Sequence, residues 1–311
     1  MPEHKNQIDF NLRIRFSQKL KQISKAKVSY AFLLPFTVLF VLFTVLPVLS
    51  SIVLSFSYFN VLESPVFIGW KNYIGLIFDD IFRKSIITTI ILGTVTSFFS
   101  FFISFFIAWL INELKPVFRT ALMIIFYAPV LSGQIYLLWG LVFSSDMYGY
   151  ANGILINMGI ISEPVLWLQD PKYILFVLIV VLVWMSFGTG FLAFVAGLQT
   201  LPRNLYEASA VDGIRNRWQE LWFVTLPQLK PIMMYSAIMS ITASFAIHDQ
   251  IVPLTGFPSV DYTAHTIVSH LVDYGTVRFN MGYASAIATL LFLFMIGINR
   301  ITGMFISKVG Q

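Results

Sequence analysis

Cysteine is absent from the 311 residues. That excludes disulfides and thiolate metal sites and leaves the compartment undetermined. Charge is scarce: Asp, Glu, Lys and Arg make up 11% of the chain, against roughly a quarter in a soluble domain. No H-E-x-x-H, no G-x-S-x-G elbow and no G-x-x-x-x-G-K-[ST] phosphate loop occurs. Zinc-protease and serine-hydrolase chemistry therefore lack their usual residues, and the chain is not expected to hydrolyse ATP by itself. Histidine occurs four times, as His4, His248, His265 and His270. His265 and His270 are five apart, a poor spacing for metal ligands on a helix, and read as surface histidines. No repeat at a solenoid period is found.

What is present is apolar. Hydrophobic residues make up 57% of the chain, Phe occurs 31 times and the mean hydropathy is +0.79. A soluble fold cannot hide that much apolar surface, so the surrounding solvent must be lipid. Crossing the hydrocarbon as a helix takes about 20 apolar residues. Six runs qualify: 30–57, 85–111, 119–143, 172–197, 229–252 and 283–306. Their length suits helices rather than barrel strands. The predicted fold is an all-α bundle of six transmembrane helices. The fifth is the most polar, with Ser240, Thr242, Ser244, His248, Asp249 and Gln250. Asp249 is the main candidate for a proton-coupling carboxylate, and it lies near a span end.

Lys and Arg set orientation. One side collects Lys5, Arg13, Arg15, Lys19, Lys21, Lys25 and Lys27, then Lys115, Arg119, Arg203, Arg215, Arg217, Lys230, Arg300 and Lys308. The other holds Lys71, Arg83, Lys84, Lys172 and Arg278. Both termini are thus expected in the cytoplasm. The net charge of +5 and pI near 9.3 arise from that asymmetry, and no nucleic-acid partner is implied. The first span is too long for a signal-peptide core and no small-residue cleavage site comes after it, so it is expected to remain. Before it, Leu12, Phe16, Leu20 and Ile23 fall at helical spacing among basic residues. They suggest an amphipathic helix on the inner leaflet, with a disordered basic tail as the alternative. Outer loops are expected at 58–84, 144–171 and 253–282. Trp70, Trp167, Tyr148 and Tyr150 near the span ends fit an aromatic belt.

Between the fourth and fifth spans the chain reads YEASAVDGIRNRWQELWFVTLP over 206–227. Asn204 and Glu207 have capping-box spacing. Pro202 stops continuation of the fourth span. Asp212-Gly213 predicts a turn, after which Asp212 caps a second helix. On that helix Ile214, Trp218, Leu221 and Trp222 would form one apolar stripe, and Pro227 and Pro231 would mark the fifth span. Ala208, Ser209 and Ala210 predict a smooth face for a close protein neighbour. An interfacial connector resting on lipid is the competing reading.

YEASAVDG with TLP downstream resembles the EAA motif of binding-protein-dependent ABC transporter permeases. FIGWKNY at 67–73, LWLQDP at 166–171, FLAFVAGLQTLPRNLYEA at 191–208 and MGYASAIA at 281–288 resemble the maltose-type, sugar-importing branch. The resemblance covers nearly everything from residue 30 onward. Two departures stand out: Ser209 replaces the usual second Ala, and 213–227 carries one residue more than the family spacing. One extra residue rotates the remainder of a helix by about 100°.

The resemblance implies a basic N-terminal segment, 1–29, and a six-helix permease domain, 30–311, whose coupling loop is 204–227. It implies a bacterial inner-membrane protein with cytoplasmic termini. Its partners would be a second homologous permease, two cytoplasmic ATPase subunits and an extracytoplasmic solute-binding protein. ATP and Mg would be bound by the ATPases, and this chain would hold no cofactor, metal or catalytic residue. Tyr206, Glu207, Ala208, Ser209, Asp212 and Gly213 would form the coupling helix and its turn, with Glu207 meeting a basic residue of the ATPase. Trp184, Ser186, Thr189, Ser244, His248 and Gln250 would line the substrate path. The spacing of Ser244 and His248 puts them on one helix face, and Gly188-Thr189-Gly190 would loosen the fourth span. Bonding between helices is the alternative role for these polar groups. The expected substrate is a carbohydrate, an oligosaccharide in particular, since no excess of intramembrane Arg or Lys stands ready for phosphate. A glycerol-phosphate or amino-acid permease and a stand-alone secondary transporter are the alternatives.

Overall fold

The computed structural model describes residues 26–133 and 135–307. The proposed amphipathic helix before residue 26 lies outside them. The chain divides into two compact units, one ending at Val53 and the other beginning at Leu54. The first holds helix α1, Lys27–Leu54, which carries no charged side chain beyond Lys27. Its ladder widens at Val41–Val45, where Leu46 N–H bonds to the Val41 carbonyl five residues back. Pro47 comes next. Proline has no N–H and its ring crowds the carbonyl four residues earlier, and the wide π-turn relieves that crowding.

The second unit opens with a short antiparallel pair, β1 (Ser57–Tyr58) and β2 (Val66–Phe67), registered Ser57 to Phe67 and Tyr58 to Val66. Gly69 turns the chain at φ +63°, a conformation open to glycine. Helix α2 is Lys71–Phe78. Asn72 is buried and its Nδ2 donates to the carbonyls of Ser55 (2.8 Å) and Ser57 (3.0 Å). FIGWKNY is thus a folded corner, closed by the Phe56, Trp70 and Tyr73 rings.

Helix α3, Asp80–Asn112, is the central post. Its buried face is small and hydroxylic: Ser85, Thr89, Gly93, Thr96, Ser100 and Ser104. Other helices can therefore approach closely. At Gly93 a Cβ would lie 2.8 Å from the Phe245 ring. Helix α4, Pro116–Ser132, ends at Gly133 with φ +59°, and α5, Ile135–Val142, sits at 93° to it. A short helix α6, Tyr150–Asn157, contributes fully buried Asn152. Asn152 donates to the carbonyls of Ser144, Asp146 and Val165, and accepts from Val165 N and Trp167 Nε1. Trp167 is thus a structural tie and not only a belt residue. Asp170 caps α7, Pro171–Trp184, by accepting from Lys172 N at 2.9 Å, and Pro171 opens the first turn, where its missing N–H costs nothing. The LWLQDP motif is the start of a membrane helix built from these bonds.

The fourth predicted span is broken, as its glycines suggested. Helix α7 ends at Trp184 and α8 runs Thr189–Thr200. Then come α9, Arg203–Val211, α10, Arg217–Glu220, a π-turn at Leu221–Thr225, and α11, Leu226–Phe245. The predicted span 229–252 ends early, at Phe245, because residues 246–251 leave the helix. Short helices α12, Val252–Thr255, and α13, Ile267–Val272, lead into α14, Met281–Ser307. Among the described residues, four helices or helix pairs are long and apolar enough to cross a membrane: 27–54, 80–112, 171–200 and 281–305. The bent pair α4–α5 makes a fifth candidate, and α11 is not among them.

The loop before α14 corrects the expectation of surface histidines. His265 and His270 are 2% and 0% exposed. His265 Nε2 and His270 Nδ1 lie 3.3 Å apart, and His270 Nε2 is 3.3 Å from Asp79 Oδ2. The same carboxylate oxygen accepts from the hydroxyls of Tyr274 (3.3 Å) and Tyr283 (3.1 Å), while Oδ1 caps α3. Thr88 donates to the Thr263 carbonyl and Thr89 accepts from Ile267 N, so the loop is sewn to α3. Arg278 pairs with Asp273 at 2.7 Å and covers the Tyr274 ring. A polar loop read as solvated is folded onto the bundle.

Burial, and next the neighbouring His270, push the His265 imidazole down to about 4. Burial works against Asp79 too, but the Phe82 N–H, His270 and the Tyr283 hydroxyl outweigh it and hold the carboxyl below its ordinary range. An unfolded chain takes the His265 proton first, so stability is lost as pH falls from about 6.5 to about 4, by up to ~1.4 kcal/mol per pH unit. Asp79 adds stability that is lost at still lower pH. Thermal unfolding of the detergent-solubilised protein should therefore steepen its acid dependence between pH 6.5 and 4, and His265→Gln should flatten it. Equal slopes for the two proteins would count against this assignment.

Candidate functional site

Two places gather the residues singled out from the sequence: a cavity at the middle of α3, and the α9–α10 segment near its Glu113 end.

The cavity encloses about 280 Å³. Thr96 and Ser100 of α3, Tyr136 of α5, Ser186 and Gly188 of the α7–α8 break, Ser244 of α11 and Gln250 line it together with apolar Val130, Leu182, Met185, Ala243 and Ile247, and no Asp, Glu, Lys or Arg is among the described lining residues. The break makes the opening. Ser186 Oγ donates back to the Val183 carbonyl at 2.6 Å, beside the Ser186 N–H that bonds the same oxygen, and Ser236 Oγ donates to the Gly190 carbonyl at 3.1 Å from α11. Gln250 Oε1 is shut from solvent and has no hydrogen-bond partner among the described residues. An unmet buried acceptor costs ~1–3 kcal/mol, a cost that an incoming hydroxyl removes.

Three of the six predicted path residues thus meet here: Ser186, Ser244 and Gln250. Three do not. Trp184 turns to Trp139, with ring centres 5.2 Å apart. Thr189 is exposed at the first turn of α8. His248 lies past the end of α11, so its four-residue spacing from Ser244 is not a helix face; its Nδ1 is 3.0 Å from Ser269 Oγ and its ring stands edge-on to Phe257. Thr96, Ser100 and Tyr136 were missed. Their signal was a run of hydroxyl residues in an apolar helix, which reads equally well as packing.

At the other place, α9 differs from its predicted form. Its N-cap is Pro202, with no side-chain cap bond, and not Asn204. The capping box does not form, and the carboxylate of exposed Glu207 has no hydrogen bond or ion pair among the described residues. The turn falls where expected. Gly213 has φ +95°, its N–H reaches the Ala210 carbonyl and Ile214 N–H reaches that of Ser209, the paired closure of a glycine-ended helix. Asp212 closes α9 and does not cap the next helix. Asn216 does, accepting from Gln219 N at 2.8 Å.

The smooth face is also narrower than predicted. Ala208 and Ala210 are exposed, but Ser209 is 6% exposed and its Oγ donates to the Tyr206 carbonyl. Tyr206 points inward too, its hydroxyl 3.0 Å from Thr225 Oγ1. The outward surface is Glu207, Ala208, Ala210, Val211, Asp212 and Gly213. The predicted stripe divides likewise. Ile214 stays in the turn, Leu221 is buried, and Trp218 lies against Trp109 and Phe106 at 5.3 and 6.4 Å. From Arg217 to Phe245 the helix is continuous, widened at Leu221–Thr225 where Leu226 N–H bonds the Leu221 carbonyl. Pro227 therefore sits inside a long helix and does not start one. A cleft of about 690 Å³ opens beside α9, lined by Glu113, Lys115, Arg119, Arg203, Glu207 and Arg217 among others.

Known proteins resemble this chain over most of its length. The chain is 31% identical over 287 residues to the probable ABC transporter permease protein YesP of Bacillus subtilis (strain 168), covering 88% of this chain and 89% of that one. It is 28% identical over 282 residues to the arabinooligosaccharides transport system permease protein AraP of the same organism, covering 90% and 88%. A chain in the crystal structure of a bacterial alginate ABC transporter, in complex with an alginate pentasaccharide-bound periplasmic protein, matches its fold with a TM-score of 0.76 over 94% of this chain and 99% of that one, at 23% identity. No family model matches.

Because the chain has no native thiol, single cysteines report the split face of α9 cleanly. Ala208→Cys in the isolated subunit should react with a polar maleimide, while Ser209→Cys should be protected. Equal labelling of the two would contradict the inward turn of Ser209.

Proposed function

The chain belongs to the permease subunits of ABC sugar transporters, and from that membership we propose that it forms half of the membrane channel of a carbohydrate importer. The bundle from residue 30 onward acts as a six-span permease domain, with α11 as the fifth span and the α4–α5 pair as the third. Residues 1–29 form a basic segment at the cytoplasmic surface. Both termini and α9 face the cytoplasm. A second, homologous permease completes the channel. A solute-binding protein delivers substrate from outside, and two ATPase subunits bind ATP and Mg and drive the cycle.

Within that assembly α9 is the coupling helix and 204–227 the coupling loop. Glu207 pairs with a cation of the ATPase, Ala208 and Ala210 seat in its groove, and Gly213 makes the turn. Tyr206 and Ser209 hold the helix from behind. Support comes from a carboxylate with no internal partner beside exposed small side chains.

The observation that carries the carbohydrate reading is the cavity: hydroxyls and one unmet amide oxygen set among apolar side chains, with no charged group among the described lining residues. Such a lining fits a neutral polyol and offers no cation for a phosphate. Ser186, Ser244 and Gln250 would bond sugar hydroxyls, with Thr96, Ser100 and Tyr136 opposite. An oligosaccharide would pass one residue at a time.

The test uses the assembled complex in proteoliposomes. Ser244→Ala with Gln250→Ala should raise the transport KM about tenfold, the loss of roughly one to two net hydrogen bonds. Resting ATP hydrolysis should not change. An unaltered KM would remove the cavity from the path. Glu207→Ala should leave the subunit inserted but cut solute-stimulated ATP hydrolysis about tenfold or more, as expected when one partner of an interfacial charge pair is removed. Normal stimulation in that variant would overturn the coupling role of α9.

A further inference from the structure

The segment after Gly213 carries a feature that the docking of α9 does not use. Arg217 stands between two carboxylates, 2.9 Å from Glu113 and 2.7 Å from Glu220. Glu113 is the C-terminal cap of α3. One residue along, Trp218 lies against Trp109 of the last turn of α3 and reaches Phe106 one turn earlier. Trp109 is itself buried with Leu221 and Leu229 of the π-turn and α11. On the near side, the Tyr206 hydroxyl ties α9 to Thr225 across the turn.

We propose that Arg217 and Trp218 are positioning residues which fasten the coupling segment to the end of α3. A movement imposed on α9 then reaches two membrane helices together, α11 by continuity and α3 through this clamp. The clamp rests on the reading of α9 as the coupling helix and extends it to residues outside the docking face.

The geometry gives the two residues different work. Arg217 is 62% exposed and Glu113 41%, so water and salt weaken their attraction. Its use is directional: a guanidinium held by two carboxylates fixes where α10 begins relative to the cap of α3. Trp218 supplies the contact area, because an indole against Trp109 and Phe106 resists sliding along α3. Without them α9 would remain joined to α8 through Leu201-Pro202 and to α11 through Thr225, and α3 would be reached only through the buried packing of Trp109 on Leu221 and Leu229, further along the chain from α9.

The chemistry of the clamp makes it separable from folding. Both residues lie at the surface of a bundle whose buried clusters do not include them. The experiment uses the full complex in proteoliposomes with its binding protein, and reads solute transported per ATP hydrolysed. Arg217→Glu and Trp218→Ala should each lower that ratio while ATP hydrolysis persists. Trp218→Phe should keep it, and Glu113→Arg combined with Arg217→Glu should recover part of what Arg217→Glu loses. A short bifunctional linker between Glu113→Cys and Arg217→Cys, the only thiols in the chain, should leave transport intact, since the two ends move as one. Unchanged ratios in both Arg217→Glu and Trp218→Ala, or loss of transport on linking, would overturn the clamp. Glu207→Ala run beside them separates the two ideas: if it uncouples and the clamp variants do not, only the clamp fails, and if it stays coupled the coupling role of α9 fails first.

Discussion

A helix inside lipid has nowhere to send an unpaired N–H or carbonyl except into the protein. Several irregularities of this fold are arranged around that constraint. Where α7 stops, Ser186 returns its hydroxyl to the Val183 carbonyl, and Ser236 crosses from α11 to the carbonyl of Gly190. Where α11 stops, Thr266 supplies a hydroxyl to the Ile247 carbonyl. Along α3, Ser85, Thr89 and Thr96 bond carbonyls of their own preceding turns, so their hydroxyls can be buried against neighbours. The small polar residues that soften the hydrophobic runs are thus the means by which broken helices survive in lipid. The cavity lies where the break at 185–188 and the end of α11 after Phe245 meet Thr96 and Ser100 of α3.

The two ends of α3 are held by different kinds of bond. At its start Asp79 gathers the Phe82 N–H, two tyrosine hydroxyls and a histidine in a buried cluster, and threonines stitch the loop onto the helix. Three hydrogen bonds and a neighbouring imidazole converge there on one carboxylate, although His265 Nδ1 and His270 Nε2 find no hydrogen-bond partner among the described residues. The far end is held mainly by apolar packing: Phe105, Ala108, Trp109 and Ile111 are buried with Leu221 and Leu229. The exposed Arg217 guanidinium and the Trp218 indole lie over that cluster. Exposed ion pairs are weak and rearrange at low cost, so the polar layer at this end can adjust while the packing beneath it holds.

Much of this was legible in the sequence. Five of the six apolar runs became membrane-length helices or a bent pair, because about twenty consecutive apolar residues leave the chain few choices. The fifth run was set too far along: Ser244 to Gln250 read as polar residues within a helix, and the helix ends among them. The turn at Asp212-Gly213 was legible because few residues but glycine take its backbone readily. The caps were not. Asn204, Asp212 and Asn216 rank nearly equally as caps, and the choice fell to Pro202 and Asn216 through the placement of α9 against the bundle. His265 and His270 were misjudged for a related reason. A loop's composition shows that it is polar, but not whether it folds back onto its own helices. The cavity collects Ser186 and Ser244, which the resemblance implied, and Gln250, which stood out as a polar residue beside them, whereas His248 lies past the end of the helix that its spacing from Ser244 assumed.

The π-turn at Leu221–Thr225 has a consequence for how the loop before it can vary in length. One residue inserted into a regular helix swings everything after it by about 100°. A turn closed five residues back takes up one residue more than a turn closed four back, so it can absorb such an insertion locally. Because this turn lies between α10 and α11, the coupling segment can change by one residue while α11 keeps the same face toward α3 and α8.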